Sequence, residues 1–206
     1  QTEGNAQFHG GELRREKELE QAHFTLALEG PSYRDDDIYT AQIYSIALGG
    51  GMSSRLFQEV REKRGLCYTI FSRAGAYSDT GMTTIYAGTS DAQIGELANI
   101  TIDELKRAAD TLSQAELDRA RAQMKAGLLM GLESASNRAE RLARMVQIWG
   151  KIPNLEETVA RIDAVNLDKL RTYAQSVASS AKMATALYGP IAAAPDLSAL
   201  EARRAA

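Results

Sequence analysis

The sequence predicts an α+β fold in which a mostly antiparallel sheet carries its helices on one face. Three observations lead to this prediction: an alternating run at residues 22–28, two β-rich runs on either side of Ser78-Asp79-Thr80-Gly81, and a long series of helical patterns after residue 91. A doubly wound parallel sheet would instead alternate strands and helices regularly. We therefore expect one domain over residues 1–190 and a loosely ordered, alanine-rich tail over residues 191–206.

Composition excludes several classes of protein. The 206 residues include 24 basic and 27 acidic side chains, so the net charge of -3 does not favour nucleic acid or an anionic membrane as a partner. The single cysteine, Cys67, cannot form an internal disulfide and favours a reducing compartment, so we expect a cytoplasmic protein, with periplasm or mitochondrial matrix as alternatives. Because the chain begins at Gln1 and not at methionine, we expect it to be a processed chain or a piece of a longer protein.

Residues 22–48 predict the first strand and the first helix. Phe24, Leu26 and Leu28 follow the two-residue period of a strand, which Glu29-Gly30-Pro31 ends. The acidic run 35–37 is a favourable helix start. The apolar positions behind it predict a largely buried helix, and they are Tyr39, Ala41, Ile43, Tyr44, Ile46, Ala47 and Leu48.

A second helix and a hairpin follow. The helix is expected to open at Ser53 or Ser54, since either hydroxyl suits the N-cap position, and to run toward Gly65. The runs 68–77 and 82–89 are rich in strand-forming residues and flank a turn composition. They predict an antiparallel hairpin.

Five further helices and a final strand complete the prediction. The helix starts are indicated by Asp91 as a cap, by Ser113 with Glu116 as a capping box, by the apolar stripe Leu142, Met145, Val146 and Trp149, and by Asn154 and Asn166. The final strand is expected at residues 183–188, where Gly189-Pro190 ends it.

The glycine triplet at residues 49–51 resembles a phosphate-binding loop only superficially. No strand precedes it, and no lysine with a hydroxyl residue follows at Walker spacing. We interpret it as a helix-to-helix turn that needs unusual backbone angles.

Metal and thiol catalysis are both poorly supported by the residues present. His9 and His23 lie far apart in the sequence, and neither HExxH nor HxxEH occurs, so we expect no metal site in this chain. A catalytic cysteine needs a positioned base, whereas Cys67 stands at a strand start and suits packing.

Arg61 and Tyr68 are the candidate site residues. Arg61 falls in the last turn of the predicted second helix and Tyr68 at the start of the next strand, so a short turn can bring them together. A guanidinium fork and a phenol hydroxyl suit a peptide carbonyl or a developing oxyanion. Spacing alone leaves the structural alternative open, since an arginine also favours a helix C-terminus and tyrosine is common in strands.

The stretch LGGGMSSRLFQEVREKRGLCY, with the SDTG hairpin behind it, resembles the carboxy-terminal domain of the pitrilysin and mitochondrial processing peptidase family of zinc metallopeptidases. The opening GGELRREKELEQAHFTLALEG and the closing LYGP are similar as well. The resemblance implies the metallohydrolase fold that this family shares with LuxS. It also implies that Arg61 and Tyr68, at the family's seven-residue spacing, bind substrate backbone and stabilise the tetrahedral intermediate.

The same resemblance implies that zinc lies elsewhere. In the family, HxxEH is carried by another domain or a partner subunit, so we expect no cofactor in this chain, inactivity in isolation, a peptide substrate, and a homo- or heterodimer. The alternative is a non-catalytic scaffold or partner subunit, as in the respiratory core proteins that the family resembles.

Overall fold

The computed structural model describes residues 6–180 and 182–206, and the first five residues of the predicted domain lie outside that range. None of the helices within the described part is long and apolar enough to cross a membrane. The elements in chain order are β1 Gly11–Glu16, β2 Ala22–Gly30, α1 Ile38–Gly49, a π-helix Phe57–Glu62, β3 Cys67–Ala76, β4 Gly81–Thr89, α2 Ile94–Thr111, α3 Gln114–Gly131, α4 Ala135–Trp149, α5 Leu155–Asp163, α6 Leu167–Ala178, β5 Met183–Gly189 and α7 Leu197–Ala205.

The five strands form one sheet in the order β1-β5-β2-β4-β3. Three of the four neighbouring pairs are antiparallel, and only β1 and β5 run parallel. The predicted hairpin of β3 and β4 is present within one residue of its expected bounds, and its turn closes when the Tyr77 amide donates to the Thr80 carbonyl at 2.7 Å. The prediction of a mostly antiparallel α+β fold is confirmed.

One face of the sheet is covered and the other is open. Phe24, Leu26 and Leu28 of β2 are fully buried against the hydrophobic core, to which helices α1 and α2 contribute. Their neighbours His23 and Thr25, on the opposite face, are only half-buried. This alternation is what the two-residue period predicted, and it places the helices on one face.

Strand β1 was not predicted from the sequence, because all six of its residues are exposed and no apolar alternation marks it. It is held by backbone pairing with β5, in a register that places Gly11 opposite Ala184. The Arg14 guanidinium adds hydrogen bonds to the carbonyls of Ile191 and Ala194 at 3.1 and 3.0 Å. Both stabilising contacts come from residues that lie far away in the sequence.

Among the helices after residue 90, the starts were predicted well, with one exception. The Ser113–Glu116 capping box is present, and the side chains of Asn154 and Asn166 accept from the amides of Glu157 and Lys169. The prediction that Asp91 caps a helix was wrong. Its carboxylate accepts from the adjacent amide of Ala92 at 2.8 Å, and α2 begins only at Ile94.

The loosely ordered tail expected after residue 190 is instead a folded segment. Helix α7 is capped by Asp196, whose side chain accepts from the amide of Ala199 at 2.7 Å. Ile191 and Leu200 are buried in the common core. The alanine-rich composition was misleading because these two large apolar side chains bury the segment in the core, and Arg203 pairs with Asp103 of α2.

Shortening Leu200 to alanine is expected to destabilise the protein by about 3 kcal/mol, because Leu200 is fully buried and its loss leaves a cavity. Urea denaturation monitored by circular dichroism measures the change. Ala202→Ser, at an exposed position of the same helix, is the control and should stay within about 0.5 kcal/mol of the original protein. Equal stability of the Leu200→Ala protein would mean that α7 does not belong to the core.

Candidate functional site

Arg61 lies in a π-helical turn that the sequence did not predict. The chain was expected to form an ordinary helix from Ser53 or Ser54, but the regular helical turns begin at Arg55 and widen to a π-helix over Phe57–Glu62. The Lys63 amide accordingly donates to the carbonyl five residues earlier, at 3.0 Å. The π-helix is rare in proteins, and where a single π-helical turn does occur it is often at a functional site.

The predicted N-cap of this segment is wrong in its chemistry. The Ser54 hydroxyl donates to the carbonyl of Gly51 at 2.6 Å and does not accept from an amide of the following turn. The segment is held from another direction, because Arg55 donates from Nε and Nη2 to the two carboxylate oxygens of Glu116 at 2.6 and 3.0 Å. Arg55 therefore fixes the segment to the start of α3.

Glu116 has a lowered pKa. Burial is the largest single influence and would raise the pKa of this carboxyl, but the hydrogen bonds from Arg55 and Ser113 together outweigh it. Glu116 is therefore ionised at neutral pH, and its pairing with Arg55 is the fork-to-fork kind that also fixes orientation. The sequence did not indicate Arg55 as an important residue, because its pairing with Glu116 becomes visible only when the two residues are brought together in the fold.

The turn after the π-helix has the form that the sequence predicted. Gly65 is in the left-handed region at φ +63, where a side chain would be strained. Its amide donates to the Arg61 carbonyl at 2.9 Å, and the Leu66 amide donates to Val60 at 3.0 Å. These bonds reverse the chain so that β3 begins beside the turn that carries Arg61.

A β-bulge turns Tyr68 outward. Cys67 pairs with Thr89 and Thr69 pairs with Gly88, so Tyr68 is an extra residue without a partner on β4. Tyr68 and Thr69 are consequently both exposed between buried residues, and Tyr68 has 76% of its surface accessible. Bulges of this kind re-aim a side chain at the end of a ladder.

The structure brings Arg61 and Tyr68 together. The Arg61 Cζ atom lies 5.1 Å from the centroid of the Tyr68 ring and 4.6 Å from that of Phe57. A guanidinium at these distances is attracted by the aromatic faces. The two rings therefore hold the Arg61 guanidinium in place beside Tyr68.

Glu59, on the same π-helical turn, is paired with other basic residues and not with Arg61. Glu59 accepts hydrogen bonds from Lys63 and, at 2.9 Å, from Arg64, and these two bonds hold its pKa below the ordinary value. Within the described residues, no group accepts a hydrogen bond from the Arg61 guanidinium or from the Tyr68 hydroxyl. The pair thus offers donors that a ligand carbonyl can accept from.

Cys67 lies beside this pair but is not a nucleophile. It is buried, and its desolvation raises the pKa of the thiol to about 11 although the neighbouring Arg61 acts in the opposite direction. The thiol is therefore protonated at neutral pH, as the packing interpretation requires.

Alkylation of Cys67 by iodoacetamide at pH 8 is expected to be at least about 100-fold slower in the folded chain than in urea, because an ordinary thiol has a pKa of about 8.5 and carries far more thiolate. The rate is measured by mass spectrometry. A small-molecule thiol present in the same tube controls for any effect of urea on the reagent. Equal rates in the folded and unfolded chain would contradict a buried, protonated thiol.

The glycine triplet has a structural role that differs from the one predicted. None of its three residues has a positive φ, so the expectation of unusual backbone angles was wrong. A Cβ at Gly49 would instead lie 2.4 Å from the Ser72 nitrogen, so α1 approaches β3 too closely for any side chain. The Gln123 side-chain amide donates to the Gly50 carbonyl at 2.6 Å, which ties the triplet to α3.

The two histidines do not form a metal site. His9 is exposed, and His23 Nδ1 lies 2.8 Å from the Tyr86 hydroxyl on the open face of the sheet. In residues 6–180 and 182–206, no three histidine, cysteine, aspartate or glutamate side chains are grouped as metal ligands require. The residues present therefore do not fit a zinc ion.

Comparison with known proteins gives a family and a fold. The model of the family described as the peptidase M16 inactive domain matches residues 1–124, more than half of the chain. An uncharacterized zinc protease of Bacillus subtilis (strain 168) is 38% identical over 174 residues, which are 83% of this chain and 42% of that protein. The chain thus spans less than half the length of this curated relative.

Two solved structures share the fold. A chain of complex III2 from Candida albicans, with Inz-5 bound, superposes with a TM-score of 0.87 and 22% identity, covering 95% of this chain and 49% of that one. The peptidase M16 inactive domain from Pseudomonas fluorescens gives a TM-score of 0.77 and 24% identity, covering 91% of this chain and 45% of that one. At these identities the likeness concerns the fold alone.

Proposed function

This chain belongs to the peptidase M16 inactive domain family, and from that premise we propose that it is the accessory domain of a zinc metalloendopeptidase. In this proposal the metal site lies on another domain or subunit, and Arg61 and Tyr68 bind the peptide substrate opposite it. The observation that carries the proposal is that both side chains lie together at one edge of the sheet. Among the described residues, nothing accepts a hydrogen bond from the Arg61 guanidinium or from the exposed Tyr68 hydroxyl.

The chemistry of the pair fits the carbonyl of a scissile peptide bond. The Arg61 guanidinium donates N–H groups from a rigid plane, and the Tyr68 hydroxyl donates one O–H. When a nucleophile adds to the carbonyl carbon, the oxygen gains negative charge, and donors already in place stabilise it without having to reorganise. Phe57 and the π-helix keep Arg61 oriented before the substrate arrives.

The division of labour between two parts follows from what this chain has and lacks. Its described residues supply no ligand set for zinc, while relatives over twice its length carry the name zinc protease. We propose that the remaining part supplies the metal ligands and the general base, in the same chain or in a partner of a homo- or heterodimer. The domain alone is then inactive.

The substrate class is an unfolded or extended peptide. Arg61 and Tyr68 engage only backbone oxygen in this proposal, and a backbone carbonyl is accessible to both donors only where the peptide is not folded on itself. Side-chain preference would then come mainly from the metal-bearing part. The accessory domain would act on every substrate in the same way.

The test is the peptidase activity of the complete parent protein and of the region upstream of Gln1. We expect that region to encode HxxEH, the purified parent protein to cleave an unfolded peptide, a chelator to abolish cleavage, and the chain of 206 residues to be inactive alone. A degenerate upstream domain would imply a heterodimer or a scaffold, and a parent protein that stays inactive even with its zinc-bearing partner present would replace this proposal by the scaffold alternative. Cleavage by the isolated chain would contradict it directly.

A further inference from the structure

An apolar cavity lies under helix α4, on the side of the domain away from the open face of the sheet. It has a volume of about 300 Å³ and is bounded by α1, α3, α4 and α5. Pockets of this size and apolar character are typical of small-molecule sites. Most of its wall is apolar, from Tyr39, Met124, Leu128, Met145, Trp149 and Ile162.

The cavity exists because α4 is only lightly packed. Of its fifteen residues, only Met145 and Ile148 are buried. The helix is held at its end, where Arg34 Nη2 donates to the Ile148 carbonyl at 3.0 Å and Tyr33 contacts Trp149 edge to face at 6.4 Å. Such a helix can move slightly to admit a ligand, and methionine side chains adapt to the shape of what enters.

Arg141 places a positive charge in this apolar wall. Its Nη2 atom is buried and has no hydrogen-bond partner among the described residues. The acidic neighbour Glu140 is engaged by Arg144 at 2.6 Å, and no acidic residue lines the cavity. A buried guanidinium nitrogen without a partner is costly, and in folded proteins such a group is normally paired.

We propose that the cavity binds a monoanionic amphiphile, namely a linear carboxylate with an apolar chain. Nη2 of Arg141 is covered by protein atoms, so the small movement of α4 that admits the ligand must also uncover it. The carboxylate then accepts a hydrogen bond from Nη2 and supplies the missing counter-charge, and the chain lies against Met124, Leu128 and Met145. The charge of Arg141 and the absence of acidic lining residues favour an anion over a neutral or cationic ligand. This site is independent of Arg61 and Tyr68.

Trp149 gives a direct measurement, because it is the only tryptophan of the chain and it lines the cavity. The 206-residue chain is titrated with decanoate below its micellar concentration, and with decanol as the uncharged analogue of the same length. We expect saturable changes in Trp149 emission with both, and tighter binding of decanoate by roughly 10- to 100-fold, the range for a hydrogen bond between charged groups.

Two substitutions separate the charge from the cavity. Arg141→Gln should weaken decanoate binding by roughly 10- to 100-fold and leave decanol binding unchanged, so that retained decanol binding also shows an intact fold. Leu128→Phe should weaken both ligands by filling the cavity. Arg138→Gln, exposed on the same helix, is the matched control and should change neither. Equal binding of decanoate and decanol, decanoate binding that survives Arg141→Gln, or no change in Trp149 emission would overturn the proposal.

Discussion

Tyr68→Phe in the complete parent protein is expected to lower kcat for peptide hydrolysis by about 100- to 1,000-fold with little change in KM. The phenol O–H is proposed to strengthen its hydrogen bond only when the carbonyl oxygen becomes an oxyanion, and loss of one such donor has effects of this size. Arg61→Lys should also lower kcat, because lysine keeps the charge but loses the planar fork and the stacking on Phe57. Steady-state kinetics on a quenched fluorescent peptide measures both parameters.

Tyr77→Phe is the matched control for this experiment. Tyr77 follows the same strand at its other end, is 61% exposed, and loses the same hydroxyl. Its kcat and KM should equal those of the unchanged protein. If Tyr68→Phe and Arg61→Lys were both as active as Tyr77→Phe, the pair would have no role in transition-state stabilisation, even if the parent protein is a zinc peptidase.

Gly49→Ala is expected to destabilise the folded chain by about 3 kcal/mol, at the upper end of the usual cost of overpacking. The added methyl group would lie 2.4 Å from the Ser72 nitrogen and 2.7 Å from the Ser72 Cβ. Backbone atoms of β3 cannot move aside without disturbing the hairpin, so α1 would have to shift away from the sheet. Equilibrium unfolding in urea gives the difference in free energy of unfolding.

Gly51→Ala, two residues further along the same triplet, provides the comparison. A methyl group there meets only the Gln123 side chain at 3.6 Å, an ordinary contact, and the backbone angle is compatible with alanine. We expect its free energy of unfolding to lie within about 0.5 kcal/mol of the original. Similar stabilities for the two variants would mean that the close approach of α1 to β3 is not what requires glycine at position 49.

Sequence reasoning was most successful where a segment's environment repeats along it. Strand β2 and the hairpin were predicted because alternate residues along them face the core. The helix caps at Ser113, Asn154 and Asn166 were predicted because each is a hydrogen bond between residues three apart in the sequence. Strand β1 escaped prediction because it pairs with β5 at the other end of the chain, and helix α7 because it packs against α2, which lies far earlier in the sequence. No local pattern records such contacts.

In the candidate site, too, the local features were predicted and the long-range ones were not. The seven-residue spacing of Arg61 and Tyr68 and the terminator Gly65 are visible in the sequence. The bulge that turns Tyr68 outward depends on the register with β4, and the placement of Arg61 depends on a π-helical turn and on the ring of Phe57. Both features follow from packing between elements, which cannot be read from a local sequence pattern.

The parallel pairing of β1 with β5 has a consequence for the order in which the chain folds. Among the residues that the structure describes, β1 pairs only with β5, and the Arg14 contact to Ile191 closes a loop of 177 residues. Contacts of such long range form slowly, since closing the intervening loop is entropically costly until the intervening chain is compact. During synthesis, therefore, the hairpin and the helices can assemble around β2 first, and the amino-terminal strand is added only after the ribosome has released the end of the domain.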